Sequence, residues 1–113
     1  MEVWAKAKFL HVAPRKARLV AGAIKGKDIE TALAVLAFLP NSSARMVAKV
    51  VKSAVANAEN NYGLDPNKLI VTRVAVDGGP KLKRLRAKAR GRPGYFVRRM
   101  SHVTVVVDDE GAA

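Results

Sequence analysis

The residues with the clearest chemical signal are the lysines and arginines that lie between Gly78 and His102. This stretch of 25 residues contains no Asp or Glu. Its nine basic residues are Lys81, Lys83, Arg84, Arg86, Lys88, Arg90, Arg92, Arg98 and Arg99. Ammonium and guanidinium groups donate charge-assisted hydrogen bonds to phosphate, and the planar fork of Arg suits two such bonds at once. This segment is therefore predicted to contact the phosphates of a nucleic acid.

Charge is unevenly distributed along the chain. The net charge is +12, from 21 basic and nine acidic residues, and the segment 78–102 supplies +9 of it. Because clustered like charges repel one another, the segment is expected to meet a polyanion that neutralises it. A solvated basic tail is the alternative explanation, but this run is internal and leads into a strand-like sequence.

Length and periodicity predict one α+β domain that spans 1–113. The chain has 113 residues and half of them are hydrophobic, which suits a single small core. Two-residue periodicity and β-branched content indicate strands at 3–9, 69–77 and 103–109. The expected fold is three helices packed on a small three-stranded antiparallel sheet, with a long protruding β-hairpin.

Three helices follow from helical periodicity and from start and stop signals. The first begins at Pro14, the second covers 29–38 after the N-cap Asp28, and the third covers 42–60. The side chains predicted to face inward are Leu19, Val20, Ala23 and Ile24 in the first helix and Met46, Val47, Val50, Ala54, Val55 and Ala58 in the third. Trp4 and Phe38 are predicted to be core or partly buried.

The basic segment 78–102 has two possible structures. Its first part is made of good helix formers, so a cationic helix for a membrane surface or an acidic partner is one possibility. Its apolar residues are too few and small for a lipid-facing stripe: Leu82, Leu85, Ala87 and Ala89. The turn chemistry of Gly-Arg-Pro-Gly at 91–94 favours a β-hairpin instead, with arms of about 30 Å. Because an isolated hairpin is marginal in water, RNA is expected to order it.

Several chemistries are not indicated by the sequence. There is no Cys, and His11 and His102 are far apart, so no disulfide, metal or cofactor is expected. No catalytic constellation is recognisable, and the chain is not expected to be an enzyme. No run of 18 apolar residues predicts a membrane span, and the first ten residues do not form a signal peptide.

Three stretches in order resemble a known family: APRKARLVAGAIKGK, AVANAENN, and KARGR followed by RRMSHVTVVV. Their spacing is similar to that of the bacterial large-subunit ribosomal protein numbered twenty-two, over about 5–107. The resemblance implies a small α+β domain on the outer face of the large subunit, in cytoplasmic ribosomes. It also implies a hairpin that reaches through ribosomal RNA to line the peptide exit tunnel, and a role in subunit assembly. The implied partners are large-subunit ribosomal RNA, neighbouring ribosomal proteins and the nascent peptide, with no homo-oligomer and no membrane.

Residue types and the resemblance together give the candidate site residues. The expected ribosomal RNA contacts are Lys6, Lys8, His11, Arg15, Lys16, Arg18, Arg45, Lys49, Lys52, Lys81, Lys83, Arg84, Arg86, Lys88, Arg90, Arg92, Arg98, Arg99 and His102. The expected tunnel-lining residues are Lys83, Arg84, Lys88, Arg90, Gly91 and Arg92. The sequence departs from the family pattern at Ala13, where a serine cap is usual, at Ala87, where the arm often has proline, and at 93–96.

Two other functions remain possible from the residues alone. A DNA-binding or architectural protein would carry a similar charge, although the sequence shows no zipper or dimer motif. A cationic module that targets membranes or acidic proteins is the other possibility. For RNA binding with about six neutralised phosphates, the logarithm of the binding constant is expected to fall against the logarithm of salt with a slope of about −4 to −5.

Overall fold

The computed structural model describes residues 2–40, 42–87 and 93–109, and of the residues 80–98 within these ranges only the backbone. Three helices and three long strands follow one another along the chain. In order they are β1 (Glu2–Leu10), α1 (Pro14–Ile24), α2 (Ile29–Phe38), α3 (Ser42–Tyr62), a short 3-10 turn (Pro66–Lys68), β2 (Ile70–Ala87) and β3 (Pro93–Asp108). The α+β prediction is confirmed, and the predicted helices agree with the observed ones within two residues.

The three strands form one antiparallel sheet in the order β1–β3–β2. Near one end of the sheet, Val107 of β3 lies between Val3 of β1 and Val71 of β2. These three side chains are buried, because β-strand periodicity sends every second residue to the face that the helices cover. β3 is therefore the central strand, and β1 and β2 are the two edges.

The core lies between this sheet and the helices. α1 contributes Val20 and Ile24, α3 contributes Val47 and Val51, and β3 contributes alternate valines, all with almost no exposed surface. Fully buried alanines allow the helices to approach one another closely: Ala32 on α2 and Ala44, Ala54 and Ala58 on α3. The result is one continuous apolar cluster that includes residues from every helix and every strand.

The connection from α1 to α2 is tied to β2. The Gly26 N–H donates to the Val71 carbonyl at 2.7 Å, and the Val71 N–H donates to the Lys27 carbonyl at 2.9 Å. Gly26 has φ +81°, a backbone conformation that residues with a Cβ rarely adopt. This glycine therefore lets the chain reverse immediately after α1 and fixes the helix against the sheet.

Three predicted burials are wrong. Leu19 is 71% exposed, Phe38 is 89% exposed and Trp4 is 61% exposed. The buried stripe of α1 consists of Ala17, Val20, Ala21 and Ile24. Leu19 lies roughly 200° around the helix from the first of these, since each residue advances about 100°. Trp4 lies on the face of β1 opposite to the buried valine, and Phe38 is the last residue of α2.

The predicted hairpin is confirmed for the described part of the segment, and the alternative of a cationic helix is wrong there. Pairing between β2 and β3 continues from the body out to Ala87 opposite Pro93. The turn predicted at 91–94 is partly wrong, because Pro93 and Gly94 already belong to β3, while Gly91 and Arg92 lie outside the described residues. The radius of gyration is 16.8 Å, against about 13 Å for a compact domain of this length, because the paired arms extend beyond the body.

Candidate nucleic-acid interface

A cleft of about 320 Å³ lies where the start of α1 meets the base of the hairpin. We call it the arginine cleft. Its cations are Arg15 and Arg18 from α1 and Arg99 from β3, and all three side chains are exposed. The other lining residues are Ala13, Pro14, Gly78, Gly79 and Met100. Among the residues that the structure describes, no Asp or Glu lines this cleft, so its charged lining is entirely positive.

The walls of the arginine cleft are held by contacts between distant parts of the chain. The Arg18 Nη2 donates to the Val76 carbonyl of β2 at 3.2 Å, which turns α1 toward the sheet. The buried Ser101 hydroxyl donates to the Val12 carbonyl at 2.6 Å, which ties the segment before α1 to β3. These bonds fix the separation of the helix and the hairpin base, so the three guanidinium groups meet in one place.

Gly79 allows the two arms to come close at the base of the hairpin. A Cβ at this position would lie 3.2 Å from the carbonyl carbon and oxygen of Met100, closer than almost all real contacts of this kind. The strand register also shifts between Gly78 and Lys81. A shift of this kind bends a β-ribbon, so this glycine sits where the body ends and the arms begin.

The start of α1 adds positive potential to the arginine cleft. Its N-cap is Ala13, which makes no side-chain capping hydrogen bond, and the first turn contains no acidic residue. Because no protein carboxylate or hydroxyl caps the helix, its positive end remains available to an external anion beside Arg15.

A second group of predicted residues meets in a groove between β1 and α3. The β1–α3 groove has a volume of about 360 Å³, and Lys6, His11 and Lys49 lie on it. Its other lining residues are Ala5, Ala7, Phe9, Leu10, Met46, Val50 and Ser53. Arg45 and Lys52 are also exposed on α3, and Lys8 is exposed on β1. The structure therefore brings Lys6, His11 and Lys49 to one groove, whereas Lys8, Arg45 and Lys52 do not line it. Lys16 on α1 is exposed but does not line the arginine cleft.

His102 has a structural contact that the sequence did not indicate. Its Nδ1 accepts a hydrogen bond from the Phe9 N–H at 3.0 Å, and the two rings meet edge to face with centroids 5.0 Å apart. Nδ1 is therefore occupied, and only Nε2 remains for an external ligand. Among the described residues, no group of three His, Asp or Glu side chains could hold a metal ion.

The predicted hairpin cations are spread along both arms. In the register, Lys81 lies opposite Arg99, Leu82 lies opposite Arg98 and Arg84 lies opposite Phe96. Lys83 and Arg86 belong to the same outgoing arm. The remaining predicted residues Lys88, Arg90, Gly91 and Arg92 lie outside the described residues. Of the tunnel-lining set, the structure thus places only Lys83 and Arg84.

Comparison with known proteins decides the family. The profile described as Ribosomal protein L22p/L17e matches residues 5–108, almost the whole chain. The chain belongs to this family. The resemblance found in the sequence is therefore confirmed. The family is structural and non-enzymatic, which also confirms the expectation that the chain is not an enzyme.

Bacterial relatives support the same assignment over almost the whole of this chain. "Large ribosomal subunit protein uL22" of Desulforamulus reducens is 53% identical over 110 residues, which cover 97% of each chain. The protein of the same description from Desulfatibacillum aliphaticivorans is 51% identical over 108 residues, 96% of this chain and 99% of the relative. That of a Thermotoga species is 49% identical over 109 residues, 96% of this chain and 69% of the relative.

Two features of this surface are not predicted by the sequence. The periodicity predicts a regular strand through Phe9, but Phe9 has φ +60° and lies where the pairing of β1 with β3 shifts between Ala7 and Leu10. The usable signal was local, since the small–basic alternation of β1 breaks at Phe9. The arginine cleft had no such signal, because Arg15 and Arg99 are distant in sequence and only the fold joins them.

Proposed function

We propose that this chain is a structural constituent of the large ribosomal subunit that binds large-subunit ribosomal RNA through the arginine cleft and the hairpin. The single observation that carries this proposal is the arginine cleft at the point where the basic arms leave the body. The names of the relatives, all large-subunit proteins, support the same conclusion.

The cleft and the arms have complementary tasks in this proposal. The cleft takes phosphates of an RNA strand that passes the base of the hairpin, and its guanidinium groups bind them with paired hydrogen bonds. The arms then continue for about 30 Å between RNA helices. Because the contacts are to phosphate and to the shape of the RNA, affinity depends on RNA structure more than on base sequence.

The far end of the hairpin lines the nascent-peptide exit tunnel in this proposal. Lys83 and Arg84 lie on the outgoing arm, and the arm leads toward the tip. We propose that these residues, together with Lys88, Arg90, Gly91 and Arg92, border the tunnel, where the nascent peptide passes. The protein works as one domain and in one copy per cytoplasmic ribosome, beside neighbouring ribosomal proteins, and supports assembly by joining separate RNA segments.

The RNA contact is tested by paired charge removal. Arg15→Ala with Arg99→Ala removes two cations from the cleft, and Lys25→Ala with Lys68→Ala removes two exposed cations elsewhere. Binding to purified large-subunit RNA is measured over a range of salt concentrations. The cleft pair is expected to weaken binding at least tenfold and to reduce the salt slope by about 1.5, since each lost phosphate contact lowers it by about 0.7–0.9. An equal effect of both pairs would contradict the proposed site.

Two further ligands separate the alternatives. Equal affinity of the unmodified protein for random duplex DNA and for ribosomal RNA would favour a general architectural protein. Selective uptake by anionic vesicles would favour a membrane-directed module, although no helix among the described residues is long and apolar enough to span a bilayer. For the tunnel contact, a photoreactive amino acid at position 84 of translating ribosomes is expected to cross-link to the nascent peptide, and its absence there would refute this part.

A further inference from the structure

The β1–α3 groove combines an open apolar floor with a basic rim. Its floor is formed by Ala5, Ala7, Leu10, Met46 and Val50, and the side chains of Leu10 and Met46 are only partly buried. Its volume of about 360 Å³ is in the range of small-ligand sites. An apolar surface that stays open in the folded chain would be buried favourably by a flat, apolar group.

Phe9 stands at this groove in a conformation that the fold enforces. Its φ of +60° is a genuine outlier for a bulky side chain, and the residue is 55% exposed. The bond from its N–H to His102 Nδ1 and the edge-to-face contact with that ring hold it in place. Bulges of this kind redirect side chains, and strained backbone gathers at binding sites. The strained backbone at Phe9 thus holds its aromatic ring where solvent can reach it.

The charges around the groove select the class of occupant. Lys6, His11 and Lys49 lie on its wall, and Arg45 and Lys52 lie one helical turn to either side of Lys49. Among the described residues, no Asp or Glu lines the groove. The ligand is therefore a flat apolar body that carries negative charge, and a nucleotide has this combination. Unpaired RNA bases are bound in this way, by stacking on aromatic side chains with phosphates on nearby cations.

We propose that the β1–α3 groove receives one unpaired nucleotide of ribosomal RNA, with its base stacked on Phe9 and its phosphates against Lys6 and Lys49. This inference rests on the proposed function, because it names one further contact with the same RNA. The groove differs from the arginine cleft because stacking on Phe9 would add affinity that does not depend on salt. The affinity from phosphate contacts, in contrast, falls as the salt concentration rises.

The first test removes the Phe9 ring by a substitution that adds no backbone strain. Phe9→Gly takes away the ring at a position whose positive φ suits glycine, so the body is expected to melt at an unchanged or higher temperature. Its affinity for purified large-subunit RNA is expected to fall about tenfold with an unchanged salt slope. Phe9→Tyr keeps the stacking face and is expected to bind like the unmodified protein. Phe38→Ala, which removes a more exposed ring outside the groove, serves as the matched control.

The outcomes separate this inference from the proposed function. If Phe9→Gly and Phe38→Ala both bind RNA as tightly as the unmodified protein, the groove contact is refuted and RNA binding stands. If the unmodified protein does not bind ribosomal RNA more tightly than random duplex DNA, the proposed function itself is refuted.

A cross-link identifies the occupant directly. Ser53 lines the groove and is exposed, so a photoreactive amino acid placed there probes the site within assembled large subunits. An adduct with ribosomal RNA is the expected result. An adduct with a neighbouring protein, or with nothing, would overturn the proposal, and a protein adduct would mark the groove as a peptide-docking site instead.

Discussion

The body and the hairpin are built from the same two strands, yet they owe their order to different causes. Within the body, β2 and β3 carry alternate valines that are buried against α1 and α3. Beyond Gly79, the outgoing arm has the sequence KLKRLRA, in which neither strand face is apolar. Hydrophobic burial therefore stabilises the body, whereas the arms, by their sequence, are expected to rely on backbone pairing and on a polyanion that offsets their charge.

Stability and binding are therefore expected to depend on different parts of the molecule. Substitutions in the body are expected to change the free energy of unfolding, and substitutions in the arms are expected to change RNA affinity. Four predictions test this division, in order of decreasing effect.

Replacing residues 81–99 with a short turn is expected to have the largest effect. Six or more phosphate contacts disappear, so affinity for large-subunit RNA is expected to fall at least about 100-fold at moderate salt. The body should still unfold in one cooperative thermal transition, because its core lies in the helices and in the strands up to the hairpin base. Loss of the folded body in the melt would show that the arms contribute to the core.

Val105→Ala is expected to destabilise the body by about 2 kcal/mol, because it leaves a cavity in the middle of the central strand. Val105 is fully buried between Ala5 and Val74 in the sheet register. Leu19→Ala is the control, since it removes a larger apolar side chain that is 71% exposed. Chemical denaturation should show a change below about 0.5 kcal/mol for this control. Equal losses would mean that burial does not govern stability here.

Two triple substitutions compare the hairpin with α3 at equal change in charge. Replacing Lys83, Arg84 and Arg86 by Ala is expected to weaken RNA binding more than replacing Arg45, Lys49 and Lys52, although each set removes three cations. Both should lower the salt slope, by about 2 for the hairpin set if every cation meets a phosphate. The melting temperature should change little for the α3 set, since exposed charges contribute little to stability. A larger loss from α3 would reverse this ranking of the two surfaces.

Ala13→Ser is expected to give the smallest effect, and a stabilising one. A serine at this N-cap can accept a hydrogen bond from the first turn of α1, which gains about 1 kcal/mol. Thermal unfolding measures the gain. RNA affinity is expected to fall by less than twofold, because the hydroxyl would compete with an external anion at the start of α1 while the three arginines of the cleft remain. An unchanged melting temperature would show that the hydroxyl gains no hydrogen bond from the first turn, where the Lys16 N–H already donates to the Ala13 carbonyl at 3.1 Å.

The elements were predictable because their signals are local. Pro14, Asp28 and Pro40 mark helix ends, and the alternating valines of β3 mark a half-buried strand. Asp28 does occupy the N-cap of α2, and hydrogen bonding from Thr31, chiefly from its side chain, lowers the pKa of the Asp28 carboxyl. Its carboxylate therefore stays ionised to lower pH than usual.

The parts that escaped prediction depend on contacts between distant residues. The exposure of Trp4 follows from its position on the uncovered face of the sheet, which only the placement of the helices decides. Likewise, the arginine cleft needs α1 and β3 to meet, and the conformation of Phe9 needs His102 from the far end of the chain. A single sequence gives the residue types for such sites, but it does not show which of them come together.

The central position of β3 has a mechanical consequence. Between Ser101 and Asp108 this strand is paired with β1 on one side and with β2 on the other. Tension applied to the returning arm is therefore shared by two ladders loaded in shear, whereas tension on the outgoing arm is carried by one. Force applied at the tip of the hairpin is thus transmitted along β3 into the middle of the sheet. The edge strand β2 is expected to separate from the sheet first.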